Sequence, residues 1–186
     1  MTLAPPSVAD DIFALFAAHG SASYGEQITV SEHCLQAAYF ARGAGAPASL
    51  VLAALLHDIG HLLGAAPEDL GEWRADAQHE EIGARWLAAR FPAEVTEPVR
   101  LHVPAKRYLC GTLPDYVSSL SPASIVTLRL QGGPMSAEEA RQFVARPHHA
   151  AAIELRRWDD RGKQRNLTVP PLESYRRLID TLADPL

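Results

Sequence analysis

The stretch Leu55-Leu56-His57-Asp58-Ile59-Gly60-His61 decides how this chain is read. Its lead-in, Leu50 to Leu56, is an unbroken apolar run that suits a helix buried on all sides and is too short to span a bilayer. Placed on a helix, His57 and His61 share one face, and Asp58 lies about a third of a turn from His57. An adjacent His-Asp pair can thus aim both side chains at one metal position, and the small Gly60 leaves room beside them. Imidazole and carboxylate are the ligands that hold iron, manganese or zinc in open, reactive sites.

Outward from this stretch, His33 lies upstream, His79 and His102 follow, and an Asp159-Asp160 pair stands near the end. His79 begins an expected helix whose buried stripe includes Ile82, Trp86 and Leu87. His102 ends an expected helix just before Pro104, because a residue preceding proline is pushed out of the α region and the chain must turn. Asp159 ends a long helix, where the dipole disfavours a carboxylate unless a cation stands nearby. Asp160 reads as a solvated terminal charge. Cys34 adjoins His33 but reads as a small buried residue rather than a ligand.

Apolar residues recur at three- and four-residue intervals almost throughout, and no stretch shows the sustained alternation of strands, so the expected fold class is all-α. Helices are expected at about 8–19, 30–43, 48–59, 77–90, 93–102, 113–119, 121–131, 136–145, 147–160 and 171–183. Thr29 or Ser31, Ser121-Pro122 and Ser136-Ala-Glu138-Glu139 are start signals, and Gly43, Gly111 and Gly132-Gly133 are candidate stops. The irregular stretches 64–76 and 160–170 flank candidate ligands and could form the mouth of a site.

With 186 residues, 47% apolar and 21% charged, the chain is expected to be a single domain, 1–186, with a substantial core. A formal charge of -5 without a basic stripe argues against nucleic-acid binding, while a small anion needs only a local cation. The first residues lack a basic region followed by an apolar one, so no export signal and no membrane association are expected. Two cysteines make no disulfide framework and suit a reducing cytoplasm.

The order His33, His57-Asp58, Asp159 resembles the H…HD…D pattern of the HD-domain superfamily, and His79 and His102 resemble the second-metal ligands of its diiron oxygenase branch. That branch includes myo-inositol oxygenase and the bacterial enzymes that cleave the carbon–phosphorus bond of hydroxylated aminoethylphosphonates. The likeness to the phosphonate group is closer. It runs through Tyr24-Gly-Glu26, Glu32-His33-Cys-Leu-Gln36-Ala, Leu56 to His61, Lys106, Ser121-Pro-Ala-Ser124-Ile-Val-Thr127-Leu, Gln131-Gly-Gly-Pro-Met135 and Arg156-Arg-Trp-Asp159-Asp-Arg-Gly-Lys163.

The resemblance implies a helical HD-domain bundle with two iron ions in a mixed-valent Fe(II)/Fe(III) pair. His33, His57 and Asp159 would hold one, His79 and His102 the other, and Asp58 would bridge them. It implies that His61, Lys106, Ser124 and Thr127 meet the substrate, His57, Asp58, His61 and Lys106 being the residues closest to the chemistry. Glu26 would pair with a substrate ammonium, and Tyr24 would occupy an iron site until substrate displaces it. Taken singly, Lys106 also reads as a solvated charge, and Ser124 and Thr127 as local backbone hydrogen-bonders.

The implied reaction is (R)-2-amino-1-hydroxyethylphosphonate plus dioxygen to glycine plus phosphate, the substrate supplying all four electrons. An upstream phosphonate hydroxylase would supply the substrate. The trimethylammonium analogue, giving glycine betaine, is the alternative, and would call for an aromatic cage to which Trp73, Trp86, Tyr108 and Tyr116 could contribute. Hydroxymethylphosphonate and an inositol-like polyol are further candidates. An HD phosphohydrolase and a non-catalytic HD-like regulatory module are the rival readings.

Overall fold

The computed structural model describes residues 7–24, 27–64 and 78–183. Helices account for the regular structure of these residues, beside a single isolated bridge between Ser23 and Thr29. They are α1 Val8–His19, α2 Val30–Gly43, α3 Ala48–Leu56, α4 Ile59–Gly64, α5 His79–Ala88, α6 Ala93–Thr112, α7 Tyr116–Ser119, α8 Pro122–Leu130, α9 Ala137–Val144, α10 His149–Arg161 and α11 Arg176–Leu182, with a 3-10 turn over Leu172–Tyr175. Among the described residues no helix is long and apolar enough to cross a membrane.

The middle of the bundle is α3. Every residue from Leu50 to Leu56 is buried, as an all-apolar helix requires, and α2, α6, α10 and α11 pack around it. The main core joins Ile12 and Phe16 of α1, Ala37 and Ala41 of α2, Ile59 and Leu62 of α4, Leu87 of α5, Val99 of α6 and Leu155 of α10. Two smaller clusters lie along the C-terminal half of α6, one with α9 and α10, the other with α8.

The expected caps form where the side chains can reach. Thr29, not Ser31, caps α2, in a reciprocal box with Glu32, and Ser136 does the same with Glu139 for α9. Ser121 caps α8 ahead of its first-turn proline. After α8, Gly132 and Gly133 take φ of +97° and +74°, the left-handed stop their sequence suggests.

Several boundaries differ from expectation, for physical reasons. The helix expected at 48–59 stops at Leu56, and His57-Asp58 form a turn into α4, closed by the His61 N–H donating to the Asp58 carbonyl at 3.0 Å. The helix expected to end at His102 continues through Pro104 to Thr112. Proline costs it one backbone bond, but α3, α5, α9 and α10 all pack on this segment and hold it helical. Gly111 is therefore no stop. It is where Met135 crosses α6, since a Cβ there would stand 2.2 Å from the Met135 carbonyl oxygen. In α5 the buried stripe is Gly83, Ala84 and Leu87, while Ile82 is exposed. Of the two expected irregular stretches, 64–76 lies outside the described residues from 65 onward, Gly64 being the end of α4, and the other, expected at 160–170, begins after Arg161.

Candidate metal centre and adjoining cavity

Five segments converge on one buried point: α2 brings His33, the α3–α4 turn His57 and Asp58, the first residue of α5 His79, the middle of α6 His102, and the last turn of α10 Asp159. His33 and His57 have no exposed surface, and Asp58, His102 and Asp159 are buried nearly as deeply. The sequence-predicted ligand set is thus brought together in full, though scattered over the whole chain.

The orientation of the imidazoles is fixed from behind. His33 Nδ1–H donates to the Gly162 carbonyl at 2.8 Å, His57 Nδ1–H to Ala54 at 2.9 Å and His102 Nδ1–H to Val99 at 2.7 Å. Those carbonyls select the tautomer that leaves each Nε2 with a lone pair aimed inward. His79 Nδ1 faces a carboxylate instead, 3.6 Å from Glu80 Oε2. Behind His33, Gln36 locks α2 to the chain after α10, donating to the Gln164 carbonyl at 2.7 Å and accepting from its N–H at 2.9 Å.

The inward nitrogens form two pairs, His33 with His57 at 3.0 Å and His79 with His102 at 3.1 Å. Asp58 straddles them. Its Oδ2 is 3.5 Å from His33 Nε2 and 3.4 Å from His57 Nε2, and its Oδ1 is 3.5 Å from His79 Nε2 and 3.7 Å from His102 Nε2. Asp159 Oδ1 stands 3.4 Å from His33 Nε2 and has no hydrogen-bond partner despite complete burial.

Burial holds the His57 and His102 rings below the ordinary histidine pKa, so they stay neutral. Burial also works against the charge on Asp58, yet the imidazoles of His57, His61, His79 and His33 keep its carboxyl far below the usual range. For Asp159, burial is likewise outweighed by Arg156, His33 and Lys163. Neutral His57 and His102 rings facing ionised carboxylates, with the Nε2 atoms of each pair turned toward one another, are a donor set that fits cations. Two nitrogens bound to one metal at about 2.1 Å and a right angle would be about 3 Å apart, the spacing of both pairs. The donor chemistry, nitrogen and oxygen with no thiolate, suits iron or another open-site metal better than structural zinc.

One cluster of possible ligand atoms comprises His33, His57 and Asp58, and another comprises Asp58, His61 and His79. His61 therefore also approaches the second position. It stacks on His79 with ring centroids 4.1 Å apart and is only half-buried, between the ligand cluster and the cavity.

That cavity, about 50 Å³, opens beside the cluster and is lined by Tyr24, His61, Lys106, Ser124, Thr127 and Arg156, among others. Because α6 runs through Pro104, His102 and Lys106 lie four apart on one helix face rather than being aligned by a turn. Lys106 is not a solvated charge. It is buried, donates to Thr127 Oγ1 at 2.9 Å, and is pushed down to about 7 by its burial and the nearby Arg156. Ser124 Oγ accepts from Lys163 Nζ at 2.7 Å, and Thr127 Oγ1 also donates to the Ser124 carbonyl at 3.2 Å. Tyr24 stacks on His33 with centroids 3.8 Å apart, and burial holds its phenol well above the ordinary pKa.

Glu26 and Trp73 lie outside the described residues. The other aromatics considered for a cage are engaged elsewhere: Trp86 under Arg90, Tyr108 on Phe143, and Tyr116 on Asp160. Asp160 is not a solvated charge either, since Arg156 and Tyr116 both bind it. Two cavity residues, Arg156 and Lys163, escaped the residue-by-residue reading. For Arg156 a signal was available, since it stands three before Asp159 on the same helix face, whereas Lys163 lies two residues past the end of α10 and reaches the cavity from the chain that follows. Cys34 is buried and free, as expected.

Residues 30–129 match the HD domain family. The chain is 45% identical over 171 residues to a hydroxymethylphosphonate dioxygenase of Gimesia maris, covering 91% of this chain and 85% of the relative. It is 39% identical over 179 residues to a (1-hydroxy-2-(trimethylamino)ethyl)phosphonate dioxygenase (glycine-betaine-forming) of Leisingera caerulea, covering 96% of this chain and 91% of the relative.

Proposed function

The chain belongs to the HD-domain family and, within it, to the phosphonate-cleaving oxygenase branch, and on that premise we propose that it uses dioxygen to split the carbon–phosphorus bond of a small 1-hydroxyphosphonate. The leading substrate is (R)-2-amino-1-hydroxyethylphosphonate, giving glycine and phosphate. Hydroxymethylphosphonate, giving formate and phosphate, is the second reading, because the relative that is 45% identical carries that name. The observation that carries the proposal is Asp58 straddling two pairs of imidazole nitrogens beside a cavity that holds buried cations.

In this reading the whole chain is one domain holding two irons, one on His33, His57 and Asp159, the other on His79 and His102, with Asp58 shared. When bound, a mixed-valent iron pair supplies the one-electron chemistry that activates dioxygen and removes the hydrogen at C1. The chain's own residues bind and orient the substrate. Lys106 Nζ offers a charge-assisted donor to the phosphonate, and Thr127, Ser124 and Lys163 extend a donor surface around it. His61 would meet the substrate at the boundary between cluster and cavity. Tyr24, stacked on His33, would cover the first metal position until substrate displaces it.

The electrons balance without a reductant: the alcohol carbon gives up its hydrogen and its phosphorus bond, and one dioxygen accepts four electrons. A hydroxylase acting earlier on the phosphonate would install the C1 hydroxyl. Two buried, unpaired cysteines suit the reducing cytoplasm in which we place the enzyme.

The test is phosphate release from hydroxymethylphosphonate, (R)-2-amino-1-hydroxyethylphosphonate and its trimethylated analogue, each with and without dioxygen. Oxygen-dependent release is expected, fastest on the aminated compound, and Glu26→Gln should lower efficiency there while sparing hydroxymethylphosphonate, which has no cation. Release without oxygen would indicate hydrolysis. Equal losses on both substrates would remove Glu26 from cation recognition.

A further inference from the structure

Arg156 is the most tightly held cation beside the metal cluster, and the way it is held divides its donors unequally. Its Nη1 reaches Asp159 Oδ2 at 2.7 Å, while Nε, at 3.1 Å, and Nη2 form a fork on Asp160. Asp160 is in turn bound by the Tyr116 hydroxyl, which comes from α7, 44 residues away in sequence. Arg156 is only 3% exposed, so this arrangement sits in the protein interior rather than on a fluctuating surface.

A guanidinium prefers to grip one carboxylate through two parallel N–H bonds. Were the fork to close on Asp159, both of its oxygens would be drawn toward Arg156. With the fork occupied by Asp160, Arg156 touches Asp159 on Oδ2 alone, and Oδ1 stays buried and without a hydrogen bond, 3.4 Å from His33 Nε2 and 3.9 Å from Lys163 Nζ. We propose that Tyr116 and Asp160 are positioning residues that reserve the Arg156 fork, leaving Asp159 Oδ1 available as a metal ligand. The inference rests on the proposed assignment of Asp159 to an iron.

The test reads metal rather than turnover. Wild type, Asp160→Asn and Tyr116→Phe would be loaded with ferrous iron without oxygen, then challenged with a graded chelator while iron per chain and thermal unfolding are followed. Wild type should retain two irons. Asp160→Asn should release one of them at roughly 10-fold lower chelator strength while keeping the other, in line with what outer partners of metal ligands contribute. Tyr116→Phe should shift the same iron in the same direction by a smaller factor, and it decides the matter if Asp160→Asn does not fold. Retention of both irons at wild-type strength in both variants would overturn the proposal. So would equal weakening of both irons alongside a lower unfolding temperature, the mark of a merely structural role. Fewer than two irons in wild type would instead defeat the metal assignment beneath it.

Discussion

Lys106 carries the sharpest expectations at the scale of single residues, because a buried ammonium is costly unless a ligand repays it. Lys106→Ala should raise the KM for the phosphonate by a factor corresponding to about 2 kcal/mol or more, since a charge-assisted contact is lost, while iron content stays at the wild-type level. Unchanged affinity would remove Lys106 from the substrate site. Its pH behaviour gives a second, independent reading. Burial, with Arg156, brings the group down from 10.5 to about 7, so the cation that binds a dianion is present below that value and lost above it. Affinity should therefore fall as pH rises through about 7, and Lys106→Ala should flatten that part of the profile. Stability moves the other way. Between about 7 and 10.5 the unfolded chain holds the proton that the folded chain has released, so unfolding free energy rises with pH across that window. Binding that strengthens with pH would contradict the assignment. The six ligand-type residues were legible because histidine and aspartate are rare in the interior faces of helices unless something binds them. Arg156 and Lys163 were less so, since an arginine or lysine near a helix end is ordinarily solvated, and only the tertiary fold, which sets them around one cavity with Ser124 and Thr127 of α8, makes these cavity residues.

Packing between elements sets where the ligands stand, and α4 against α5 is the tightest case. A Cβ on Gly60 would lie 2.0 Å from the His79 carbonyl oxygen, and Gly83 faces the Gly60 backbone from the other side. Backbone rather than a flexible side chain is in the way, so Gly60→Ala must push the start of α5 outward, and His79 with it. The expected result is destabilisation of about 1–3 kcal/mol, as overpacked contacts give, and preferential loss of the metal that the proposed assignment gives to His79 and His102. Thermal unfolding and iron content check it together, and a variant with both at wild-type values would show that α5 can shift freely. The same scale explains what sequence could not supply. Caps at Thr29, Ser121 and Ser136 are local, and the chain announces them through side chains three residues apart. The break at His57-Asp58 and the continuation of α6 through Pro104 are not local. Each is decided by neighbours distant in sequence, α5 against α4 in one case and the helices around α6 in the other.

Across the whole molecule, the cluster ties together five segments that no single covalent or apolar contact joins. His33 and Asp159 link the second helix to the tenth, and Asp58 links both to α5 and α6. Without cations, the paired imidazole lone pairs at 3.0 and 3.1 Å and the unpartnered Asp159 Oδ1 are unfavourable, so the folded chain is less stable than its apolar core alone would make it. Metal binding removes that cost and adds its own free energy, about 2.7 kcal/mol when free metal exceeds its dissociation constant a hundredfold. Anaerobic titration of metal-free protein with ferrous iron should therefore saturate at two equivalents and raise the unfolding temperature, and chelation should reverse both. Controlled partial oxidation should then give the spin-coupled signal of a mixed-valent pair. Saturation at one equivalent would mean that only one imidazole pair binds, leaving Asp58 an ordinary ligand rather than a bridge. An unfolding temperature indifferent to iron would mean that the two pairs are held apart by the scaffold alone, and the centre would have to be sought elsewhere in the chain.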